Sequence, residues 1–244
     1  MKLIIFLITH WYLGLFIQSV FLHRYAAHKN FTLNKFWERF FFVINFLVFG
    51  SSYMSPNAFG ILHKTHHAYA DTAEDPHSPL NTPGFFKNIL QTRNNYYDIF
   101  IGKNKLKYYL EGDYPQWNKF DQFAHNWMVR IAWAFVYVFI YSFLITAWWQ
   151  YLFLPITIAL GALQGGIVNW CGHKFGYRNY NTPDHSRNIL PIDLIFMGEA
   201  YHNNHHKHPH KLNHAVKWFE FDPTYYCLRL LDFVGIIKIK KRTL

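Results

Sequence analysis

From Ile131 to His173 the chain contains no Asp, Glu, Lys or Arg. Such a run is long enough for two bilayer-crossing helices of about twenty residues each. The string Trp148-Trp149-Gln150-Tyr151 marks the turn between them as interfacial, and Pro155 opens the second helix. Leu3 to Leu22 is another charge-free run, of the length one span needs. No small-residue cleavage site follows it, so it reads as a retained anchor rather than a signal peptide. A further run, Phe40 to His63, ends among Asn45, Ser51, Ser52, Ser55, Pro56 and Asn57. Those residues favour a helix that dips into the bilayer or lies along it. The expectation is one all-α membrane domain over residues 1–244. It has three spans near 3–22, 130–149 and 152–171, a non-spanning apolar helix near 36–62, and a helical cytosolic cap of 63–126 and 173–244. Lys103 to Trp117 is the expected mobile loop.

Mean hydropathy is close to zero, which usually argues against a membrane protein. Here the average hides segregation: polar His- and Asn-rich stretches alternate with the charge-free runs. Aromatic residues make up 21% of the chain and charged residues 16%, and the formal charge is +10. That charge suits loops facing an anionic leaflet. A nucleic-acid partner is not expected, because the basic residues are not gathered into one stripe. Cys171 and Cys227 form no CxxC pair and indicate no disulfide framework.

Sixteen histidines remain to be explained. Four clusters follow one another: His23 and His28; His63, His66 and His67; Asn169 with His173; and His202, His205 and His206. On a helix, residues three and four apart share a face, so each HxxHH triplet presents three imidazoles in one direction. His23 and His28 diverge by about 140° on an ideal α-helix, a divergence that suits two neighbouring metals. Neutral imidazole is the commonest metal ligand and suits iron, copper or zinc. Burying so many imidazoles without a metal or partner would cost several kcal/mol of unpaired polar surface. His10, His77, His125, His185, His208, His210 and His214 lie outside this spacing and are expected at the surface or behind the ligands. The ligands of one centre must also lie on one side of a membrane. Parity then requires His28 to His63 not to cross and Ile131 to His173 to cross twice, which leaves Lys2 as the only basic residue outside.

The four clusters in this order resemble the integral membrane fatty acyl desaturases, above all the acyl-CoA Δ9 type. The flanking strings D-T-A-E-D-P-H at 71–77, H-K-F-G-Y-R at 173–178 and G-E-A-Y-H-N-N-H-H at 198–206 carry the same likeness. The resemblance implies a mushroom-shaped helical fold whose cytosolic cap holds two irons, with zinc a possible substitute in an overexpressed preparation. It implies nine histidine ligands (His23, His28, His63, His66, His67, His173, His202, His205 and His206), with Asn169 contacting one metal through water. It also implies a kinked tunnel for the acyl chain and O2-dependent insertion of a cis double bond, at the cytosolic face of a membrane such as a bacterial inner membrane. Asp75, Glu199 and Asp193 are candidate carboxylates for orienting the His N–H groups. No haem- or flavin-binding module is visible, so a separate donor such as a ferredoxin or a cytochrome b5-like protein is expected.

The chain departs from the family pattern in places. Its first helix matches the family's second. Ile61-Leu62 stand where animal acyl-CoA enzymes have an Arg-Asp pair for the CoA headgroup, and Gly166 stands where they have a Trp. Arg93 is the headgroup residue expected to remain, and the acyl carrier stays open among CoA, acyl carrier protein and lipid. A hydroxylase on the same scaffold is the nearest alternative. A bis-His haem carrier, a metal transporter or a zinc hydrolase are the other classes.

Overall fold

The computed structural model describes residues 1–103 and 112–243. Most of the expected loop Lys103 to Trp117 therefore lies outside the described residues. Helix α1 (Lys2–Ile17) continues without interruption into a π-helical segment, Gln18–Ala27. Together they form a candidate span of 26 residues. Helix α2 (Lys35–Phe49) then runs back alongside α1. Asn34 caps it, its side-chain oxygen accepting from the Trp37 N–H at 2.9 Å, a contact of about 1 kcal/mol. Phe41, Phe42, Asn45 and Phe49 form its buried face.

At Gly50–Ser52 the chain turns, and Pro56 starts helix α3 (Pro56–Tyr69), which climbs back against the π segment. A proline at the first helical turn gives up no intrahelical hydrogen bond. The two helices form a hairpin. Its lower end is fixed to α1 by the His10 Nε2 contact with the Val48 carbonyl at 2.7 Å. At 15 residues α2 is too short to cross, and the polar tip finds protein partners: Asn45 donates to Met54 O, and Ser52 Oγ accepts from Gly161 N.

Helices α4 (Phe85–Phe100) and α5 (Asn118–His125) precede the second span, α6 (Trp127–Leu144). Among the described residues, α6 and the first helix qualify as spans by themselves. The return from Trp148 to Gly172 is broken rather than straight: α7 (Leu154–Ile158) and α8 (Leu160–Gly172) belong to a pair bent by 68°. The span expected at 152–171 is thus kinked, and the preceding one stops at Leu144 instead of 149. The physical reason lies at the break, where Ala159 leaves helical geometry at ψ 14° and Gly161 N bonds to the hairpin tip instead of to its own helix. With two such helices, or three counting the bent pair, the chain is an all-helical membrane protein.

The cap is mostly irregular. It includes α9 (His202–Lys207) and α10 (Pro223–Phe233), and a two-residue antiparallel pairing of β1 (Phe31–Thr32) with β2 (Lys238–Ile239). The core gathers where α1, the π segment, α2 and α10 meet, around Phe21, Phe31, Phe42, Leu212 and Leu228.

Candidate metal centre

All nine expected histidines converge, but not in the arrangement their spacing suggests. Two groups form, each with its ring nitrogens within 4.8 Å of one another: His23, His28, His63, His67 and His205 in one, His66, His173, His202 and His206 in the other. Each HxxHH triplet is divided between the groups. His63 and His67, four apart on α3, enter the first, and His66 between them turns to the second. On α9 the division is reversed, with His202 and His206 in the second group and His205 in the first.

His23 and His28 do not diverge. The π-helix hydrogen-bonds residues five apart, and His28 N donates to His23 O at 3.1 Å. That winding brings the two rings to 4.8 Å between centroids, within one group. The expected divergence of about 140° assumed α-helical winding and is corrected by the π segment.

Within the first group the Nε2 atoms of His28 and His63 are 2.9 Å apart, those of His67 and His205 2.8 Å, and those of His23 and His205 3.0 Å. In the second, His66 and His206 are 3.2 Å apart through Nε2. Two nitrogens bound at right angles to one ion, each at about 2.1 Å, would sit about 3 Å apart. The Nε2 atoms of His173 and His202, and Asn169 Oδ1, are buried with no hydrogen-bond partner.

Four carboxylates face the opposite ring nitrogens. Glu199 lies 2.7 Å from His23 Nδ1, Asp75 2.8 Å from His66 Nδ1, Asp71 2.8 Å from His173 Nδ1, and Asp184 2.9 Å from His206 Nδ1. Asp75, Asp71 and Asp184 hydrogen-bond Nδ1 and so leave the Nε2 lone pair facing inward, the tautomer a metal ligand needs, while Glu199 lies at ion-pair distance from His23. Burial, reinforced by neighbouring imidazoles, pushes His28, His63, His67, His202, His205 and His206 well below their ordinary value. Burial also tends to raise Glu199 and Asp71, but the contacts of Glu199 with His23 and Arg24, and of Asp71 with His173, hold both below the usual carboxylate range. The donor set and its protonation fit two metal ions.

The motif spacing does not single out Asp71 or Asp184, because their histidine partners lie 102 and 22 residues further along the chain. Asp71 sits in the left-handed backbone region at φ 63°, which Asp tolerates better than most residues. Asp193 is not beside a histidine. It accepts the N–H groups of Phe196, Gly198 and Ala200 at 2.7, 2.8 and 2.9 Å, tying down the loop before α9. Both carboxylate oxygens are engaged by backbone donors of this one loop, so Asp193 shapes the loop rather than orienting an imidazole.

Other residues hold the ligand-bearing pieces in place. Arg24 is fully buried and donates to Glu199 at 2.6 Å, Asp222 at 2.8 Å, Ser19 and the Leu212 carbonyl. With six residues, α9 could not persist alone. Asn203 Oδ1 accepts from Asn179 N and Tyr180 N, and Asn204 Nδ2 donates to His214 O and Glu220. The two Asn of H-N-N-H-H therefore anchor the helix, while the histidines point the other way.

Below the histidines lies a largely apolar cavity of about 380 Å³. His23, His63, His66, His202 and Asn169 line its head; Met54, Phe59, Leu62, Ile89 and the α8 glycines Gly161, Gly165 and Gly166 form its walls. Arg93 also lines it, with its guanidinium 5.8 Å from the Trp127 ring centre, and Arg130, His125 and Tyr96 lie nearby. Arg130 is occupied by the carbonyls of Ser51 and Tyr53.

Residues 2–230 match the profile of the fatty acid desaturase family. The chain belongs to that family. It is 30% identical over 226 residues to an acyl-CoA C20 Delta5-desaturase of Anemone leveillei, covering 91% of this chain and 68% of that protein. It is 29% identical over 222 residues to a Delta-9 desaturase-like 5 protein of Arabidopsis thaliana (88% and 68% covered). To an sn-1 stearoyl-lipid 9-desaturase of Synechocystis sp. it is 27% identical over 224 residues (88% and 64% covered). This desaturase-family chain spans about two thirds of the length of these relatives.

Proposed function

We propose that the protein is an O2-dependent fatty acyl desaturase whose two irons are held by His23, His28, His63, His67 and His205 on one side and His66, His173, His202 and His206 on the other. The observation that carries this reading is the convergence of nine buried or half-buried imidazoles in two groups at the head of an apolar cavity. Bound iron would supply the oxidising power, drawn from O2, that an unactivated C–H bond requires. The chain's own residues do the rest. Asp71, Asp75 and Asp184 keep protons on Nδ1 so that Nε2 faces inward, and Glu199 stands at ion-pair distance from His23. Asn169, held through its Nδ2 by His77 O at 2.7 Å, keeps a buried, unpartnered acceptor oxygen at the cavity head, to which a water would bind. The walls exclude bulk water and align a saturated chain beneath the histidines. Arg93 is the cation placed to meet an anionic headgroup. The acyl group is carried by CoA, acyl carrier protein or a lipid. Electrons come from a separate ferredoxin or cytochrome b5-like donor at the cytosolic face, where the cap stands.

The test is the full chain expressed in cells supplied with iron, purified anaerobically, with fatty acid profiling of the host. Expected are two irons per chain and new cis-unsaturated acyl chains. His66→Ala and His205→Ala, one from each group, should each lower iron content and abolish the product at normal protein level. Unchanged iron and product in either variant would remove that residue from the centre. Zinc after aerobic purification would leave the assignment intact, because imidazole sites accept both metals.

A further inference from the structure

Helix α10 buries one face and leaves the other bare. Thr224 and Leu228 are fully buried, whereas Tyr226 is 56% exposed, Leu230 62%, Phe233 87% and Val234 55%. Spaced four, three and one apart, these exposed residues form a single apolar stripe on the helix. Its position explains the stripe. Leu231 and Ile236 share an all-apolar groove with Leu13 and Ile17 of α1 and Phe40 and Ile44 of α2. Leu13 and Ile17 lie nine and five residues before Leu22, where the charge-free run ends, roughly 5–15 Å below that end at a rise of about 1.5 Å per residue or less. The hydrocarbon core is about 30 Å thick. A helix packed at that level cannot stand clear of the bilayer if α1 crosses it.

The stripe is continuous with the exposed apolar surface of α1 and α2, where Leu13 is 48% exposed, Phe40 43% and Leu47 50%. Charge is arranged to match. Arg229 on the helix and Lys238 and Lys241 just after it are exposed, long enough to reach headgroups while their stems stay in apolar surroundings. The one acid in the helix, Asp232, accepts the Ile239 N–H at 2.9 Å.

We propose that α10 is an in-plane membrane helix on the side of the histidine cap, with Tyr226, Leu230, Phe233 and Val234 in lipid and Arg229, Lys238 and Lys241 on anionic headgroups. Its first turn is wired to the candidate centre. The capping residue Asp222 bonds Arg24, Arg24 bonds Glu199, and Glu199 holds His23. The bilayer surface thus braces the C-terminal part of the cap, and through Asp222 the loop that carries Glu199.

The experiment uses the full chain in nanodiscs, in a background lacking Cys171 and Cys227. Single cysteines at Leu230, Phe233 and, as a cap control, Glu74 carry an environment-sensitive fluorophore. These positions are exposed, and unchanged thermal unfolding verifies the fold of each variant. Expected at Leu230 and Phe233 are blue-shifted emission and quenching by nitroxide lipids several-fold stronger than by aqueous iodide, with the reverse at Glu74. Iodide quenching equal to that at Glu74 would place the stripe in water and overturn the proposal. Protection from both quenchers would mean that a second protein copy covers it, and would overturn it as well. The headgroup contacts are read separately, from lipid retained on purification out of mixed phosphatidylglycerol and phosphatidylcholine. Combined Arg229→Glu, Lys238→Glu and Lys241→Glu should lower the retained phosphatidylglycerol fraction, and an unchanged fraction would refute that part.

Discussion

At the scale of single residues, neighbouring acids of one type do different work. Asp71 touches His173, whereas Asp193 touches only backbone N–H groups. Asp71→Ala should weaken metal binding roughly 10–100-fold, because the ring of His173 loses the group that fixes its tautomer. Asp193→Asn should leave the metal content near parent and lower the thermal midpoint; titration with iron(II) and thermal scans of both variants distinguish the two roles. At Asp121 burial outweighs the hydrogen bond from Tyr53 and its other neighbours, which pull the other way. Held inside against Tyr53 Oη at 2.6 Å, its carboxyl is pushed up to about 6. The folded protein then binds a proton more tightly than the unfolded chain, so this site contributes most stability at low pH and loses it as pH rises through about 6. Asp121→Asn keeps the acceptor without the charge. It should stabilise the protein by about 1–3 kcal/mol at pH 8, an advantage that fades below about pH 4. Thermal unfolding in detergent at several pH values checks this, and a constant difference across that range would refute it.

At the scale of elements, the π segment decides how the first cluster is used. Its five-residue winding puts His23 and His28 in one group. Moving the second imidazole to the four-residue spacing of an ordinary helix should therefore fail. Ala27→His combined with His28→Ala is expected to bind no more iron than His28→Ala alone. Full iron content in the double variant would show that the winding is unimportant. In α3 and α9 the ordinary helical repeat does something subtler. Residues four apart serve one group, and the residue one position before the last of them swings far enough round to serve the other.

For the whole molecule, the α2–α3 hairpin and the bent α7–α8 pair together make the cavity. The hairpin tip takes the N–H of Gly161 just after the break between α7 and α8, and Gly161, Gly165 and Gly166 line the wall. Gly166 has no room to spare: a Cβ there would meet Ile89 Cγ1 at 2.8 Å. Gly166→Leu should push into the cavity and cut turnover of the longest chains roughly tenfold, shifting the product profile towards shorter ones. Gas chromatography of host lipids reads this out. A parent-like profile would mean that the acyl chain lies elsewhere.

The all-helical membrane class and the set of converging histidines were legible in the chain itself. Charge-free runs admit few solutions in water, and nine imidazoles at helical spacings beside them must share partners. The expectation that Phe40 to His63 does not cross rests on the same reason, since Asn45, Ser51 and Ser52 could not be left unpaired in lipid. The partition into groups of five and four was decided only by tertiary structure. It depends on the hydrogen-bond register of Gln18–Ala27 and on the angle at which α3 and α9 face each other, neither of which has a local residue signature. Asp75 and Glu199 were already candidates from the sequence, but that Asp71 and Asp184 join them and Asp193 does not was decided by the tertiary structure. Asp71, Asp75, Asp184 and Asp193 look alike in sequence, and an acid orients an imidazole only if the fold carries it within hydrogen-bond reach. The cap's short α9 follows the same logic, because Asn203 and Asn204 draw their partners from residues 179–188 and 214–220, and such long-range hydrogen bonds leave no periodic trace in the chain.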